Sequence, residues 1–232
     1  MRPFYQKEWH GISFTSFTDT FTNKLADDEF YQVYYRKFFK KYNHFHELDK
    51  NWLMEKENVA NWLVKDLPNF SNILSIGCGI GYIEQHIINR YGNNYDLHVQ
   101  DFAQEACKWI REFVPEDNIH GSDFIDAQNP VKYDLVYLSA IAYALPDTEL
   151  IDFLIKLKRF IKPTGKIVLV SSGFYENKSC FQSVLYNVKH ALKVIFTSLQ
   201  LRTILGLAAK SKRIQRYNGK LRIFKYTGWI YK

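Results

Sequence analysis

The chain has 232 residues, of which 47% are hydrophobic, 24% charged and 17% aromatic, so it can bury a sizeable core and is not mainly disordered. There is no run of about 18 apolar residues and no apolar signal region at the N-terminus, which predicts a cytoplasmic protein without a membrane span. The three cysteines form no CxxC pair, which argues against a disulfide framework and a metal site.

The positive charge is concentrated in the last quarter of the chain. Residues 1–175 carry 19 basic and 23 acidic side chains, whereas residues 176–232 carry 12 basic side chains and one acidic. This bias indicates either a solvated surface or an anionic partner, such as a phosphorylated substrate, an acidic membrane surface or nucleic acid. The sequence leaves both interpretations open.

The N-terminal part is predicted to be mainly helical. Residues 1–20 mix aromatic side chains with Gly, Ser and Thr and are expected to be irregular. From Asp27 to Phe45 aromatic residues recur at helical spacing, and a second helix is predicted over residues 50–64. We interpret these aromatic side chains as core and expect residues 1–66 to form a helical extension that acts as a lid.

After Pro68 the pattern changes to short β runs that alternate with helices. Helices are predicted within 81–92, 103–114 and 148–161, between strands at 72–76, 96–100, 119–124, 133–139 and 166–172. This alternation is typical of right-handed crossovers in a doubly wound α/β domain with a mainly parallel sheet, here over residues 67–175. A ligand is expected at the carboxyl ends of the strands.

The last segment, residues 176–232, is predicted to form a basic helical cap followed by terminal sheet strands. An apolar stripe runs from Phe181 to Leu199, with Lys189 and Lys193 elsewhere on the same helix. We interpret it as a cap over an acceptor pocket, and a basic amphipathic helix on an anionic membrane is the alternative. Residues 219–232 alternate like a strand and are expected to close the sheet as an antiparallel edge.

Three glycines follow the first predicted strand of this domain, in ILSIGCGIGYIE. Gly77, Gly79 and Gly81 allow a ligand to approach the backbone closely and supply dihedral angles that other residues avoid. A dinucleotide site would need its third glycine at position 82, which is Tyr82. With the spacing G-x-G-x-G, the sequence resembles the class I S-adenosylmethionine-dependent methyltransferases.

The resemblance covers residues 60–175 and includes further landmarks at the expected positions: Asp101, Asp123, Tyr133-Asp134 and Lys162-Pro163-Thr164-Gly165. It implies a Rossmann-like methyltransferase fold with S-adenosyl-L-methionine as cofactor. It also implies that Asp101 binds the ribose hydroxyls and that Asp123 lies near the adenine amino group. Asp101 is also compatible with a helix N-cap, and Asp123 with a solvated acid in a loop. The implied cofactor-binding residues are Gly77, Cys78, Gly79, Gly81, Asp101, Phe102, Asp123, Phe124 and Ser139.

The methyl acceptor is the least determined part of the prediction. A hydroxyl acceptor needs a general base, for which His10 in the N-terminal extension and Tyr143 after the fourth strand are the candidates. We predict O-methylation of a small molecule or glycan precursor, and the basic C-terminal segment is compatible with an anionic one. The alternatives are a peripheral-membrane lipid or isoprenoid methyltransferase, an RNA methyltransferase, and a non-catalytic S-adenosylmethionine-binding protein. RNA is disfavoured because no Asn/Asp-Pro-Pro-aromatic run follows the fourth strand.

Overall fold

The computed structural model describes residues 7–19, 21, 25–65, 71–128, 130–141, 145, 147–172, 209–218 and 221–231. The last two ranges are described by their backbone course. Tyr143 and the predicted apolar stripe between Phe181 and Leu199 lie outside the described residues.

The N-terminal extension begins with a small hairpin. Strands β1 (Glu8–Trp9) and β2 (Ile12–Ser13) pair antiparallel around a His10–Gly11 turn in which both residues have positive φ, and α1 (Thr15–Thr18) follows. The expectation of irregular structure over residues 1–20 was therefore wrong for this part. The turn is held because the Tyr42 hydroxyl donates a hydrogen bond to the carbonyl oxygen of His10 at 2.8 Å.

Two longer helices confirm the predicted helical extension. Helix α2 spans Asp28–Lys41, and its N-cap Asp27 accepts a hydrogen bond from the backbone N–H of Phe30 at 3.1 Å. Helix α3 spans Lys50–Lys65. Together with the hairpin they bury a cluster of aromatic side chains, so the prediction that these residues form a core is confirmed.

A seven-stranded sheet forms the centre of the domain, in the order β5-β4-β3-β6-β7-β9-β8. Its helices are α4 (Tyr82–Tyr91) and α5 (Asp147–Leu157). The strands are β3 (Asn72–Ile76), β4 (Asp96–Gln100), β5 (Ile119–His120), β6 (Tyr133–Ser139), β7 (Ile161–Ser172), β8 (Ala209–Asn218) and β9 (Leu221–Tyr231). Strands β3 to β7 are parallel, which confirms the doubly wound α/β fold.

Strand residues alternate between two apolar layers. Ile73, Leu135 and Tyr137 belong to the layer on the α3 and α4 side, whereas their neighbours in sequence, such as Leu74 and Val136, belong to the layer beneath α5. Because both faces of the sheet are covered, the strands read as nearly continuous apolar runs, which is why the sequence located them so closely.

Segment 103–114 is not the helix that was predicted. It forms two 3-10 turns, Gln104–Lys108 and Ile110–Glu112. With three residues per turn, Ala103, Ala106 and Trp109 share one face and pack in the N-terminal aromatic cluster, while Cys107 and Ile110 pack against the sheet. The segment thus packs in two clusters at once, and these tertiary contacts favour 3-10 turns over the helix that the sequence pattern predicts.

Three strand predictions also need correction. The strand expected over 119–124 is limited to Ile119–His120, and a 3-10 turn follows at Ser122–Asp126. Strand β7 begins at Ile161, before the predicted start at residue 166. Strand β9 is antiparallel as expected, but it lies between β7 and β8, so β8 forms the edge of the sheet.

No helix in the described part of the chain is long and apolar enough to cross a membrane. The cellular location and the division of the chain at residues 66 and 175 stay predictions.

Candidate functional site

The loop that leaves β3 is shaped by its three glycines. Gly77, Gly79 and Gly81 have φ values of +65°, +58° and +81°, in the left-handed region that side chains rarely adopt. A Cβ atom on Gly77 would lie 2.5 Å from Cγ2 of Ile141, and one on Gly79 would lie 3.1 Å from the hydroxyl of Tyr35. The loop therefore presents bare backbone at the carboxyl end of the central strand.

Asp101, directly after β4, ties this loop to the next strand. One carboxylate oxygen accepts a hydrogen bond from the N–H of Gly79 and the other accepts one from the N–H of Ala103, both at 2.9 Å. Burial raises the pKa of Asp101 to about 6, and these two hydrogen bonds limit the rise. The bond from Ala103 is a local turn before the 3-10 segment, whose N-cap is Ala103 and not Asp101. The bond from Gly79 shows that Asp101 fixes the glycine loop.

A cavity of about 400 Å³ opens above these strand ends, a size typical of small-molecule sites. We call its polar side the strand-end wall, which consists of Gly77, Cys78, Gly79, Asp101 and Ser139. Another part of the lining comes from the N-terminal extension, and we call it the aromatic wall, which consists of Trp9, Tyr31, Tyr35 and Trp52.

Six of the nine predicted cofactor-binding residues line this cavity: Gly77, Cys78, Gly79, Asp101, Phe102 and Ser139. Gly81 is buried beneath the loop, where a Cβ atom would clash with the side chain of Ile110. The roles of all nine residues stay predictions.

The structure does not bring Asp123 and Phe124 to the cavity lining. The side chain of Asp123 is exposed, and the ring of Phe124 stacks on His120 with 3.9 Å between centroids. Ser122 and Asp126, from the same 3-10 turn, do line the cavity. Within this turn, Ser122 and Asp126 are therefore the residues at the cavity, and the adenine role of Asp123 and Phe124 stays a prediction.

His10, the predicted base, is packed among aromatic rings outside the cavity lining. Its ring centroid lies 4.8 Å from that of Trp52 and 5.6 Å from that of Phe38, both edge-on. Its Nε2 is buried without a hydrogen-bond partner among the described residues, and burial lowers its pKa to about 4. His10 is therefore neutral at pH 7, as a general base must be, but its position among aromatic rings fits a packing role.

Sequence reasoning missed Glu84 and the aromatic wall. Tyr31 and Tyr35 were assigned to the core, and nothing in the local sequence indicates that they also face a cavity. Glu84 left a weak signal, since it is an acidic residue on the buried stripe of α4 beside Ile83 and Ile87.

A doubly wound sheet whose central strand ends in a glycine loop, beside an acid on the next strand, defines a protein that binds a nucleoside cofactor at its strand ends. Residues 48–209 match the model of the family described as AdoMet-dependent proline di-methyltransferases, and the chain belongs to this family. The predicted membership of the class I S-adenosylmethionine-dependent methyltransferase family, with S-adenosyl-L-methionine as the cofactor, is confirmed.

Two curated relatives illustrate the range of acceptors. Over 165 residues the chain is 26% identical to malonyl-[acyl-carrier protein] O-methyltransferase 2 of Ilyobacter polytropus, a match that covers 66% of this chain and 61% of the relative. Over 117 residues it is 25% identical to alpha N-terminal protein methyltransferase 1 of Caenorhabditis elegans, covering 48% and 49%. The matches thus span between half and three fifths of the relatives' lengths.

A solved structure supports the fold. The plantazolicin methyltransferase BpumL, in complex with SAH, superposes with a TM-score of 0.53 at 14% identity, over 76% of this chain and 82% of that protein.

The described lining fits S-adenosylmethionine. The glycines leave room for the ligand at the backbone, and Asp101 has acceptor capacity beyond its two backbone bonds. The aromatic wall adds rings to the lining, and the face of an aromatic ring attracts a cation such as a sulfonium.

Proposed function

We propose that this protein transfers the methyl group of S-adenosylmethionine to an amine nitrogen of a small-molecule or peptide-like acceptor. The observation that carries the proposal is that the aromatic wall lines the same cavity as the strand-end wall. Aromatic ring faces favour cations, and an amine becomes an ammonium when it is methylated. The family description and the N-terminal protein methyltransferase relative support a nitrogen acceptor.

The chain's contribution to such a reaction is positioning and exclusion of water. When bound, the cofactor supplies an activated methyl group, and an in-line approach of the nitrogen is all that displacement requires. The nitrogen lone pair forms the new N–C bond while the C–S bond breaks and its electron pair stays on sulfur. The surplus proton of the product ammonium then passes to water. Trp9 and Trp52 would keep the approach dry from the N-terminal side.

The cavity chemistry favours nitrogen over the hydroxyl oxygen predicted from the sequence. A hydroxyl must lose its proton during the attack and needs a base nearby, whereas a neutral amine attacks directly. Among the described residues no histidine lines the cavity, and His10 is packed elsewhere. Oxygen in a small molecule or glycan precursor remains the second candidate, favoured by the O-methyltransferase relative.

The experiment offers purified protein S-adenosylmethionine and a panel of acceptors, with products identified by mass spectrometry. The panel pairs amines with oxygen analogues: a peptide with N-terminal proline, the same peptide N-acetylated, an aminohexose nucleotide and its hydroxyl counterpart. We expect one or two added methyl groups on an amine member and none on its blocked or hydroxyl partner. Methylation of the hydroxyl partners alone would support the second candidate instead. Tight cofactor binding without turnover on any acceptor would favour the non-catalytic binding protein.

The positive charge of segment 176–232 supports three further proposals: an anionic acceptor in solution, a lipid acceptor, and binding to an anionic membrane surface. Sedimentation with neutral and with anionic vesicles separates these proposals. Binding to anionic vesicles alone supports a lipid acceptor at a membrane. If the protein binds no vesicles but its KM for the acceptor rises with salt, an anionic acceptor in solution is supported. Nucleic acid stays the disfavoured partner.

A further inference from the structure

Glu84 is a buried carboxylate that the described chain satisfies on one side only. It lies in the first turn of α4 and is 1% exposed. Its Oε1 accepts two hydrogen bonds, from the hydroxyl of Ser75 at 2.6 Å and from the hydroxyl of Tyr137 at 2.5 Å. Its Oε2 is equally buried and has no hydrogen-bond partner among the described residues.

This arrangement is costly unless something else binds the free oxygen. Burial raises the pKa of Glu84, while the two hydroxyl donors and the more remote charge of Lys56 favour the ionised form. A buried charged acceptor without a donor loses its hydration and gains nothing in return. Since both hydroxyls already donate to Oε1, a donor for Oε2 must come from outside these contacts.

The strand register places a second free acceptor on the same side of the sheet. Ser75 and Tyr137 are paired across β3 and β6. Ser139 lies two residues beyond Tyr137 at the end of β6, on the same face of the sheet, and Gly77 begins the loop that leaves β3. The Ser139 hydroxyl oxygen is buried and also without a partner in the described part of the chain. Glu84 and Ser139 both line the cavity next to the glycine loop.

A group that matches these two oxygens must donate hydrogen bonds and carry positive charge. An ammonium has three donors and one charge, whereas a sulfonium has no donor at all. Asp101, the predicted ribose partner, directly follows β4, which lies on the other side of β3 from β6, at whose end Ser139 lies. A ligand whose ribose lies at Asp101 would thus extend its amino-acid end toward Glu84.

We propose that Glu84 and Ser139 form the subsite that holds the α-ammonium group of the cofactor's amino-acid part, and that Glu84 makes the site selective for nucleosides that carry this group. The inference rests on the proposed function because it uses the same cofactor.

The test compares two ligands that differ only in the amino group, S-adenosylhomocysteine and 5′-S-(3-carboxypropyl)-5′-thioadenosine. Affinities are measured by calorimetry for the parent protein and for Glu84→Gln, which keeps the shape of the side chain but turns Oε2 into either a neutral acceptor or a donor. We expect Glu84→Gln to weaken S-adenosylhomocysteine by about tenfold to a hundredfold and to change the deaminated ligand by less than about threefold. Ser139→Ala should show the same pattern with a smaller loss.

Glu105→Gln is the matched control, because Glu105 is exposed and pairs with Arg36 at 3.1 Å away from the cavity lining. It should leave both affinities unchanged. Equal losses for the two ligands, or no loss for either, would overturn the proposal while leaving the proposed function intact. If Glu84→Gln does not fold, Ser139→Ala alone decides: an equal effect on both ligands refutes the subsite. Failure of the parent protein to bind S-adenosylhomocysteine would instead refute the proposed function and the subsite together.

Discussion

The two walls of the cavity are built in opposite ways. The strand-end wall consists of backbone amides, small residues and a carboxylate, fixed by a loop a few residues long. The aromatic wall consists of large rings from a hairpin and two helices that are distant in sequence from that loop and reach the cavity only after packing. One wall is therefore determined by local backbone geometry and the other by tertiary assembly, and substitutions should affect them differently.

The largest effect on stability is expected for Gly81→Ala, which changes the glycine loop of the strand-end wall. The substitution combines a left-handed φ of +81° with a Cβ atom that would meet Ile110 and Phe113. Backbone strain of about 1–2 kcal/mol and overpacking of about 1–3 kcal/mol should add up to a severe loss in the free energy of unfolding, measured in urea.

Ile110→Ala provides the control for this prediction, because it removes the Cγ1 and Cδ1 atoms that the added Cβ atom would meet. In the double variant Gly81→Ala/Ile110→Ala the overpacking against Ile110 should disappear, so its loss should be smaller than the sum of the two single losses. Additive losses would mean that contact with Ile110 does not matter.

Asp101→Asn should have the next largest effect. The ionised carboxylate is the better acceptor, so we expect nucleoside affinity to fall by about tenfold or more. In the parent protein the same loss should appear as the pH falls below the pKa of about 6, because protonation removes the charge from Asp101. The measurement uses 5′-methylthioadenosine, which has the ribose but lacks the amino-acid part and so does not report on Glu84. A flat pH profile with unchanged affinity in Asp101→Asn would leave Asp101 with a structural role only, through its bonds to Gly79 and Ala103.

Trp52→Leu tests the aromatic wall against Trp62→Leu in the same helix. Both indoles are half-buried, but Trp52 lines the cavity and Trp62 packs against the sheet layer. Both variants should lose about 1–3 kcal/mol of unfolding free energy. A fall in acceptor kcat/KM of about threefold to thirtyfold is expected for Trp52→Leu alone, because the positive charge that develops on the nitrogen in the transition state loses its cation–π attraction. A similar fall in Trp62→Leu would show that the effect is indirect.

The smallest effect on catalysis is expected for His10→Phe, which keeps a ring in the aromatic cluster. Loss of a general base costs about 10²–10⁴-fold, so a methylation rate within a few-fold of the parent would exclude His10 from that role. A loss in the range typical of a base would restore the prediction made from the sequence.

The same variant should change the pH dependence of stability. The folded pKa of about 4 lies below the ordinary value of 6.5, so His10 contributes stability that is present above pH 6.5 and is lost as the pH falls toward 4. His10→Phe should therefore show a shallower decline of unfolding free energy over this window. His120, whose pKa is lowered to about 4 as well, should preserve part of the decline.

Sequence by itself determined the elements whose signal is local. Strands β3, β4 and β6 were located residue for residue, because strands covered on both faces form short apolar runs bounded by polar or glycine residues. The glycine loop could be read in the same way, since positive φ and close approach restrict the residue type at each position. The order of these local signals along the chain then predicted the parallel fold and the family.

Tertiary structure alone decided what depends on two segments meeting. Segment 103–114 forms 3-10 turns instead of the predicted helix because its side chains pack in two different clusters. A short stretch of sequence does not show that a segment will contact both. Tyr31 and Tyr35 carry the same periodic signal as purely structural core residues, and only packing over the strand ends makes them part of a site. Oε2 of Glu84 has no partner among the described residues because the hydroxyls of Ser75 and Tyr137, which are far apart in sequence but lie on paired strands, both donate to Oε1. Whether a polar atom finds a hydrogen-bond partner depends on the folded contacts and not on the residue type.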